Sequence, residues 1–287
     1  MVLSLSWFFA EAISGKADGN KNQYLERDEL EIFLQGKVSQ LMSHTQKPKL
    51  LPQADTVSVF YLGSQSNSLI SSTQENVAIV VENGSMPNGL KHVRRVKLSQ
   101  SFDLRFKISR RSVAVFNRTG DNITNLPSNT LYHWQRVINK TYLLKALGNQ
   151  FDMSLSPIQI DLSEGDGNHS EGAFLHFSLG NESEDLKALT LFSLATNGEL
   201  EFLYPMSDYN DALLIEEFPF ILPPMQITKH LGSESLVVIL CQSVNNGLHK
   251  LLIQHQPDIP DVKKILSYLQ QGCQVGQYAV FLKTPEN

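Results

Sequence analysis

The chain has 287 residues and a net charge of −5, with 41% apolar and 18% charged residues. This is a globular composition, which excludes a disordered chain, and it carries no basic footprint for nucleic acid. The length suits one large domain or a few small ones, each with its own core.

Residues 2–13 are apolar enough for a signal peptide, and Ala10-Glu11-Ala12 mimics a cleavage box. No Lys or Arg precedes the run, however, and Glu11 interrupts it, so secretion is not expected. No stretch approaches the roughly 18 apolar residues of a membrane span. Residues 3–14 read instead as a helix, with Leu5, Phe8, Phe9, Ala12 and Ile13 at helical spacing and Gly15 as its end.

The next stretch, Asp18 to Glu29, follows the calcium-loop pattern. Asp18, Asn20, Asn22, Glu26 and Glu29 place side-chain oxygens at its first, third, fifth, ninth and twelfth positions, and Tyr24 offers its carbonyl at the seventh. Gln23 stands at the sixth, where the sharp turn prefers glycine. The donor set suits Ca²⁺. A structural turn held by its own side chains is the alternative, and Gln23 and the lack of a partner hand favour it. A second helix is expected over 28–43, with Leu30, Phe33, Leu34, Val38, Leu41 and Met42 on one face. The proline-bounded run Gln46 to Pro52 then marks a boundary.

Four short motifs here resemble, in order, the end of the peptidase domain of bacterial caspase-like proteins. They are Ser4-Leu5-Ser6-Trp7-Phe8-Phe9, Gly15-Lys16-Ala17-Asp18, Asp28-Glu29-Leu30 and Gln46-Lys47-Pro48. In that family a helix, a calcium-hand-like turn and a helix close the domain, a Gln-x-Pro exit follows, and the catalytic His and Cys lie upstream. Met1 falls partway through this pattern, so the resemblance implies a region without the catalytic core. Phe8, Phe9, Leu30 and Phe33 would then be underburied in this chain alone, and an exposed apolar patch of that kind marks an interface.

From Thr56 the periodicity changes to two. Residues 56–62, 76–81, 102–108 and 112–117 are strand candidates, separated by turn signals at Asn83-Gly84, Asn88-Gly89 and Gly120-Asp121-Asn122. Lys91, Arg94, Arg95, Lys97, Arg105, Lys107, Arg110 and Arg111 cluster in this part. Solvated strand faces and turns explain the cluster most simply, and a docking surface for an acidic partner is the alternative. A helix over 130–147, capped by Ser128 or Asn129, lines up Leu131, Trp134, Val137, Ile138, Thr141, Leu144 and Leu147.

Strands return at 157–162 and 173–179, around the loop Glu164 to Glu171. That loop carries His169 and reads as a hairpin turn held by Asp and Asn side chains, with metal binding as the weaker alternative. Residues 189–205 form a hairpin about Asn197-Gly198. Strands are expected at 213–220, 225–228, 236–242 and 274–283. Two short helices precede the last strand, the second capped by Asp258 with Pro260 in its first turn. Six Asn-X-Ser/Thr triplets, from Asn83 to Asn181, matter only in a secreted eukaryotic protein.

The helix at Trp134, the Gly165-Asp166 to Glu171-Gly172 turn, the Leu191 to Pro205 hairpin and Leu236-Val237-Val238 resemble the uncharacterised β-rich region that follows the peptidase core in many bacterial caspase-like proteins. The expected fold class is α+β: a helix–calcium-hand-like loop–helix over 1–50, a small β-rich domain over 53–127, and a β-sandwich-like domain with peripheral helices over 128–287.

Two cysteines, Cys241 and Cys273, are too few for a disulfide framework and lack zinc-site spacing, so a reduced, cytoplasmic setting is expected. Both read as packing residues, since no acid–Cys–Gly signature surrounds Cys241 and no motif pairs the histidines. No catalytic residues are therefore assigned. The function expected is a non-catalytic region that senses or binds a protein partner, such as a separate caspase-like core, without nucleic acid or membrane. A cysteine peptidase acting through Cys241, or through a core encoded upstream or elsewhere, and a Ca²⁺-dependent binding module are the alternatives.

Overall fold

The structure is a computed structural model. It describes residues 8–9, 11–19, 24–41, 58–61, 76–100, 102–118, 120–150, 155, 157–165, 168–183, 185–205, 213–227, 232–269 and 272–283. By its contacts the chain divides into residues 1–73 and 74–287.

In the first unit Phe8, Phe9 and Glu11 are helical, and a π-helical turn, Ala12–Lys16, follows. Gly15 breaks it at φ +96°, a backbone region open to glycine. Strand β1 (Tyr24–Glu26) pairs antiparallel with β2 (Ser58–Tyr61), and helix α1 (Arg27–Leu41) begins directly after β1. Ala12, Ala17, Leu25, Leu30 and Leu34 form a small buried cluster. Leu30 is 1% exposed, so the expectation that it would be left bare is corrected. Its own unit covers it, because Leu30 and Leu34, one turn apart, point at Ala12 and Leu25. Phe8, Phe9 and Phe33 are half-buried against the same cluster, and the Lys37 ammonium stands over the rings of Phe8 and Phe33, at 5.8 and 5.4 Å.

The second unit is built on two five-stranded sheets. The first contains β3 (Val77–Glu82), β4 (Val93–Arg95), β5 (Leu104–Ile108), β6 (Val113–Phe116) and β7 (Asn122–Leu126), in the order β4-β3-β5-β6-β7. Strand β3 runs parallel to both neighbours, and the rest pair antiparallel. The alternation of the sequence holds here: Val77, Ile79, Leu104, Phe106, Val113, Val115 and Leu126 all enter one core. Strands β4 and β7 were not expected, since β4 is Val-Arg-Arg and β7 is Asn-rich, and neither shows an apolar alternation.

Helix α2 (Leu131–Gly148) follows β7. Its N-cap is Thr130, whose side chain makes no capping bond, which corrects the Ser128 or Asn129 cap. Leu131, expected on the buried stripe, is 43% exposed, whereas Trp134, Val137, Ile138 and Leu147 are buried. Trp134 stacks on Phe106 with ring centroids 3.9 Å apart.

The second sheet has the order β13-β12-β16-β17-β9. Its members are β9 (Asn168–Ser170), β12 (Ala188–Leu194), β13 (Leu200–Tyr204), β16 (Gly232–Cys241) and β17 (Cys273–Lys283). Strand β12 is buried at every position, because both faces of this sheet are covered. Phe192, Leu194, Val237 and Ile239 face the core shared with α2 and the first sheet. Leu189, Leu191, Leu236, Val238 and Leu240 face a second core with Leu162, Phe177 and Leu179. These last three belong to a three-stranded sheet of β8 (Gln159–Leu162), β11 (Phe177–Gly180) and β14 (Phe220–Ile221). A minor pair joins β10 (Phe174–Leu175) to β15 (Met225–Gln226). The α+β, β-rich class therefore stands. One core runs from Val77 to Val275, across position 127, where a domain boundary was expected.

Four local expectations change. The strand expected over 173–179 is interrupted at His176, and of 213–220 only β14, starting at Phe220, is a strand. The hairpin between β12 and β13 turns through a wider loop than Asn197-Gly198 alone, closed by Ala195 N–H to Glu199 O and by Asn197 Oδ1, which accepts from Glu199 N. Gly198 has φ +84°, and a Cβ there would stand 2.4 Å from the Arg136 carbonyl, so α2 itself requires the glycine. Helices α3 (Asn246–His255) and α4 (Val262–Ser267) end the helical set. The α4 cap is Asp261, accepting from Lys263 N, not Asp258, and Pro260 precedes that cap.

Candidate functional site

Of the calcium-like loop's oxygen-bearing side chains, those of Asp18 and Glu29 are described. Asn20 and Asn22 lie outside the described residues, as do the side chains of Tyr24 and Glu26. Glu29 Oε1 accepts the Gly19 N–H at 3.0 Å, so the twelfth loop position reaches back to the second. Among the described residues no group of three or more His, Cys, Asp or Glu side chains converges as a metal site.

The register of β16 on β17 sets Cys241 opposite Cys273, and the two are joined in a disulfide. This corrects one expectation: the cysteines are not separate packing thiols, and in the bonded state Cys241 carries no thiolate. Thirty-two residues of sequence separation hid the pairing; only the strand register brings the two Cβ atoms together. The bond corresponds to an oxidising setting or to the oxidised state of an otherwise reduced protein. His249, the histidine next after Cys241 in sequence, sits on α3, is 8% exposed and shares a 2.7 Å hydrogen bond with Thr190 Oγ1. Burial lowers its pKa and favours the neutral ring; its burial and its bond to Thr190, not its protonation state, keep it from facing a substrate.

The loop at Glu164 is tied by side chains. Glu164 Oε2 accepts the His176 backbone N–H at 3.0 Å, and its Oε1 meets His176 Nδ1 at 2.6 Å. The His176 side-chain bond is the main reason the carboxyl of Glu164 is lowered to about 2. His169 Nε2 lies 3.1 Å from the Gly165 carbonyl. The described ties of this loop run through Glu164, His176 and His169; the side chains of Asp166 and Asn168, expected to hold the turn, lie outside the described residues.

Two buried cations on α2 were missed from the sequence. Arg136 and Lys140, one turn apart, are 9% and 6% exposed. Arg136 donates to Tyr132 Oη, to Glu199 Oε1 at 2.8 Å and to the Pro257 carbonyl at 3.1 Å. Lys140 donates to the carbonyls of Leu194, Ala195 and Ser233. Together they fasten α2 to the β12–β13 loop and to the start of β16. An apolar stripe through Trp134 and Val137 gave no hint that the opposite face of the helix is also covered.

Comparison of the chain with protein-family models, with curated proteins and with solved structures finds no match.

The basic cluster divides in the structure. Arg105 pairs with Glu82 at 3.9 Å and lies over the Phe116 ring. Arg94, Arg95 and Lys97 are exposed on and just beyond β4, the edge strand of the first sheet. Beside them lies a groove of about 630 Å³, lined among others by Val81, Val96 and Leu98. No described helix is long and apolar enough to cross a membrane.

Proposed function

We propose that this chain is a non-catalytic interaction region of a bacterial caspase-like protein, of the kind that follows the peptidase core in that family. Its partner is a protein, and a separate caspase-like core is the natural one. The observation that carries this reading is the burial of Cys241, which is 3% exposed and part of the core beside Cys273, so its sulfur is withdrawn from a substrate whether bonded or reduced. The engagement of His249 with Thr190 supports the same reading. The finer architecture that goes with it is a helix–calcium-hand-like loop–helix at the N-terminus, followed by sandwich-like β-rich domains. In this reading the protein works in the bacterial cytoplasm, with the Cys241–Cys273 bond as its oxidised state, and it needs neither nucleic acid nor membrane.

The test uses the whole chain, oxidised and after reduction, with fluorogenic peptides carrying basic or acidic residues before the cleaved bond. No hydrolysis above buffer is expected in either state. A parallel binding titration with a caspase-like core from the same organism is expected to saturate. Hydrolysis that appears on reduction and disappears in Cys241→Ala overturns the reading, as does the absence of any binding to the core.

The Glu29–Gly19 bond brings the ends of the loop together and supports a second reading, a Ca²⁺-dependent binding module. Asp18, Asn20, Asn22, the Tyr24 carbonyl, Glu26 and Glu29 would hold the ion. Calorimetry with Ca²⁺ decides it: a saturable heat that is lost in Asp18→Ala with Glu29→Ala establishes the module, and heat of dilution alone removes it.

A further inference from the structure

The ladder between β3 and β4 is short. Val77, Ala78 and Ile79 pair with Val93, Arg94 and Arg95, and a last bond runs from Val96 N–H to the Ile79 carbonyl. Strand β3 continues through Val80, Val81 and Glu82, still paired with β5 on its other side. Peptide groups alternate along a strand, so Val81 turns its N–H and C=O to the side of Val77 and Ile79. On that side no described strand lies beside it. The chain after Arg95 has moved off into a turn closed by Gln100 N–H to Lys97 O, and the groove fills the place it leaves.

The walls of the groove have a definite chemistry. Val81 and Val96 are partly buried, and Leu98 is 55% exposed. Arg95 and Lys97 stand at its rim, with Arg94 on the same strand. Glu82 also lines it, but its charge is offset by Arg105. A short, basic edge strand is a common way to prevent a sheet from pairing with copies of itself. That role explains the arginines. It does not explain an uncovered Val81 peptide group inside an apolar groove, where a backbone donor and acceptor await a partner.

We propose that this groove is a docking site for an extended acidic segment of a partner protein. The segment continues the first sheet where β4 leaves off. Its backbone bonds to Val81, alternate apolar side chains pack on Val81, Val96 and Leu98, and its carboxylates meet Arg95 and Lys97. Strand addition at a sheet edge supplies affinity through the main chain and specificity through such alternate side chains. The basic rim that repels like strands selects acidic ones. The inference rests on the reading of the chain as an interaction region and names the chemistry of what it binds.

The probe is a rhodamine-labelled peptide alternating glutamate and valine, titrated against the full chain at low salt, with amide exchange at Val81 followed in parallel. Saturable binding and slowed exchange of the Val81 amide are expected. Arg95→Glu with Lys97→Glu, both exposed and so safe for folding, is expected to weaken binding at least about tenfold. Substituting lysine for the glutamates of the peptide, or N-methylating one of its edges, is expected to do the same. No binding, binding unchanged in the charge-reversed protein, indifference to N-methylation, or unaltered exchange at Val81 each overturns the proposal. If the site fails while the chain still binds the caspase-like core and cleaves no peptide, the interaction reading stands and only this groove is lost. If the chain cleaves peptides, that reading falls by itself, whatever this titration gives.

Discussion

Lys140 shows how a single residue can contradict its surroundings and still be satisfied. An ammonium has three protons to donate, and three carbonyls, those of Leu194, Ala195 and Ser233, stand within 3.1 Å of Nζ. Burial nevertheless lowers its pKa to about 7, with the charge of Glu234 acting the other way. The folded value lies below the unfolded one, so the unfolded chain binds the proton more tightly. The resulting stability is complete above the unfolded pKa and is lost as pH falls toward about 7. Lys140→Met leaves three carbonyls without a donor and is expected to cost on the order of 3 kcal/mol. Urea denaturation of both proteins at neutral and alkaline pH checks this. The gap between them should widen as pH rises; a gap that narrows, or Lys140→Met as stable as the parent, contradicts the account. Nothing in the local sequence around Lys140 announces this role, since its acceptors lie on β12, the following loop and β16.

At the scale of elements, the strongest join is β16 with β17, which pair over ten positions from Gly232↔Leu282 to Cys241↔Cys273. The disulfide closes the end of this ladder and a loop that contains α3 and α4. Closing a loop of this length restricts the unfolded chain by roughly 3–4 kcal/mol in the chain-entropy view. Cys241→Ser with Cys273→Ser is therefore expected to lower the urea midpoint without changing the fold, and reduction of the parent should match it. Equal midpoints for oxidised parent and double variant would show that the bond adds nothing. The elements themselves were legible where periodicity is strong: β3, β5, β6, the β12–β13 hairpin, β16, β17, α2 and α3 lie within a few residues of their expected places. Weak patterns misled. Val93-Arg94-Arg95 becomes a strand because β3 offers it a ladder, whereas residues 213–219 form no ladder with any described strand, although Ile215 N–H bonds the Lys187 carbonyl.

For the whole second unit, the decisive feature is a sheet covered on both faces. The β12 and β16 runs are apolar at consecutive positions, and each strand divides its side chains between two cores. This draws the first sheet, α2 and the second sheet into one packed body, with the groove beside Val81 as an opening in it. A binding edge supported in this way loses little order when it is filled. The basic rim stands out against a chain whose net charge is −5, which gives an acidic segment a local target.

The order of residues alone determined the strand and helix periods, the positive-φ turns at Asn83, Gly89 and Gly198, and the globular, β-rich class, because each depends on neighbours a few places apart. Only the tertiary structure decided that Cys241 meets Cys273, that Lys140 is buried among carbonyls, that Leu30 is covered, and that the β3–β4 ladder ends at Ile79, two positions short of Val81. Each of these depends on the register between segments far apart in the chain. Register is set by the packing of all the layers together, and no short window of sequence contains it.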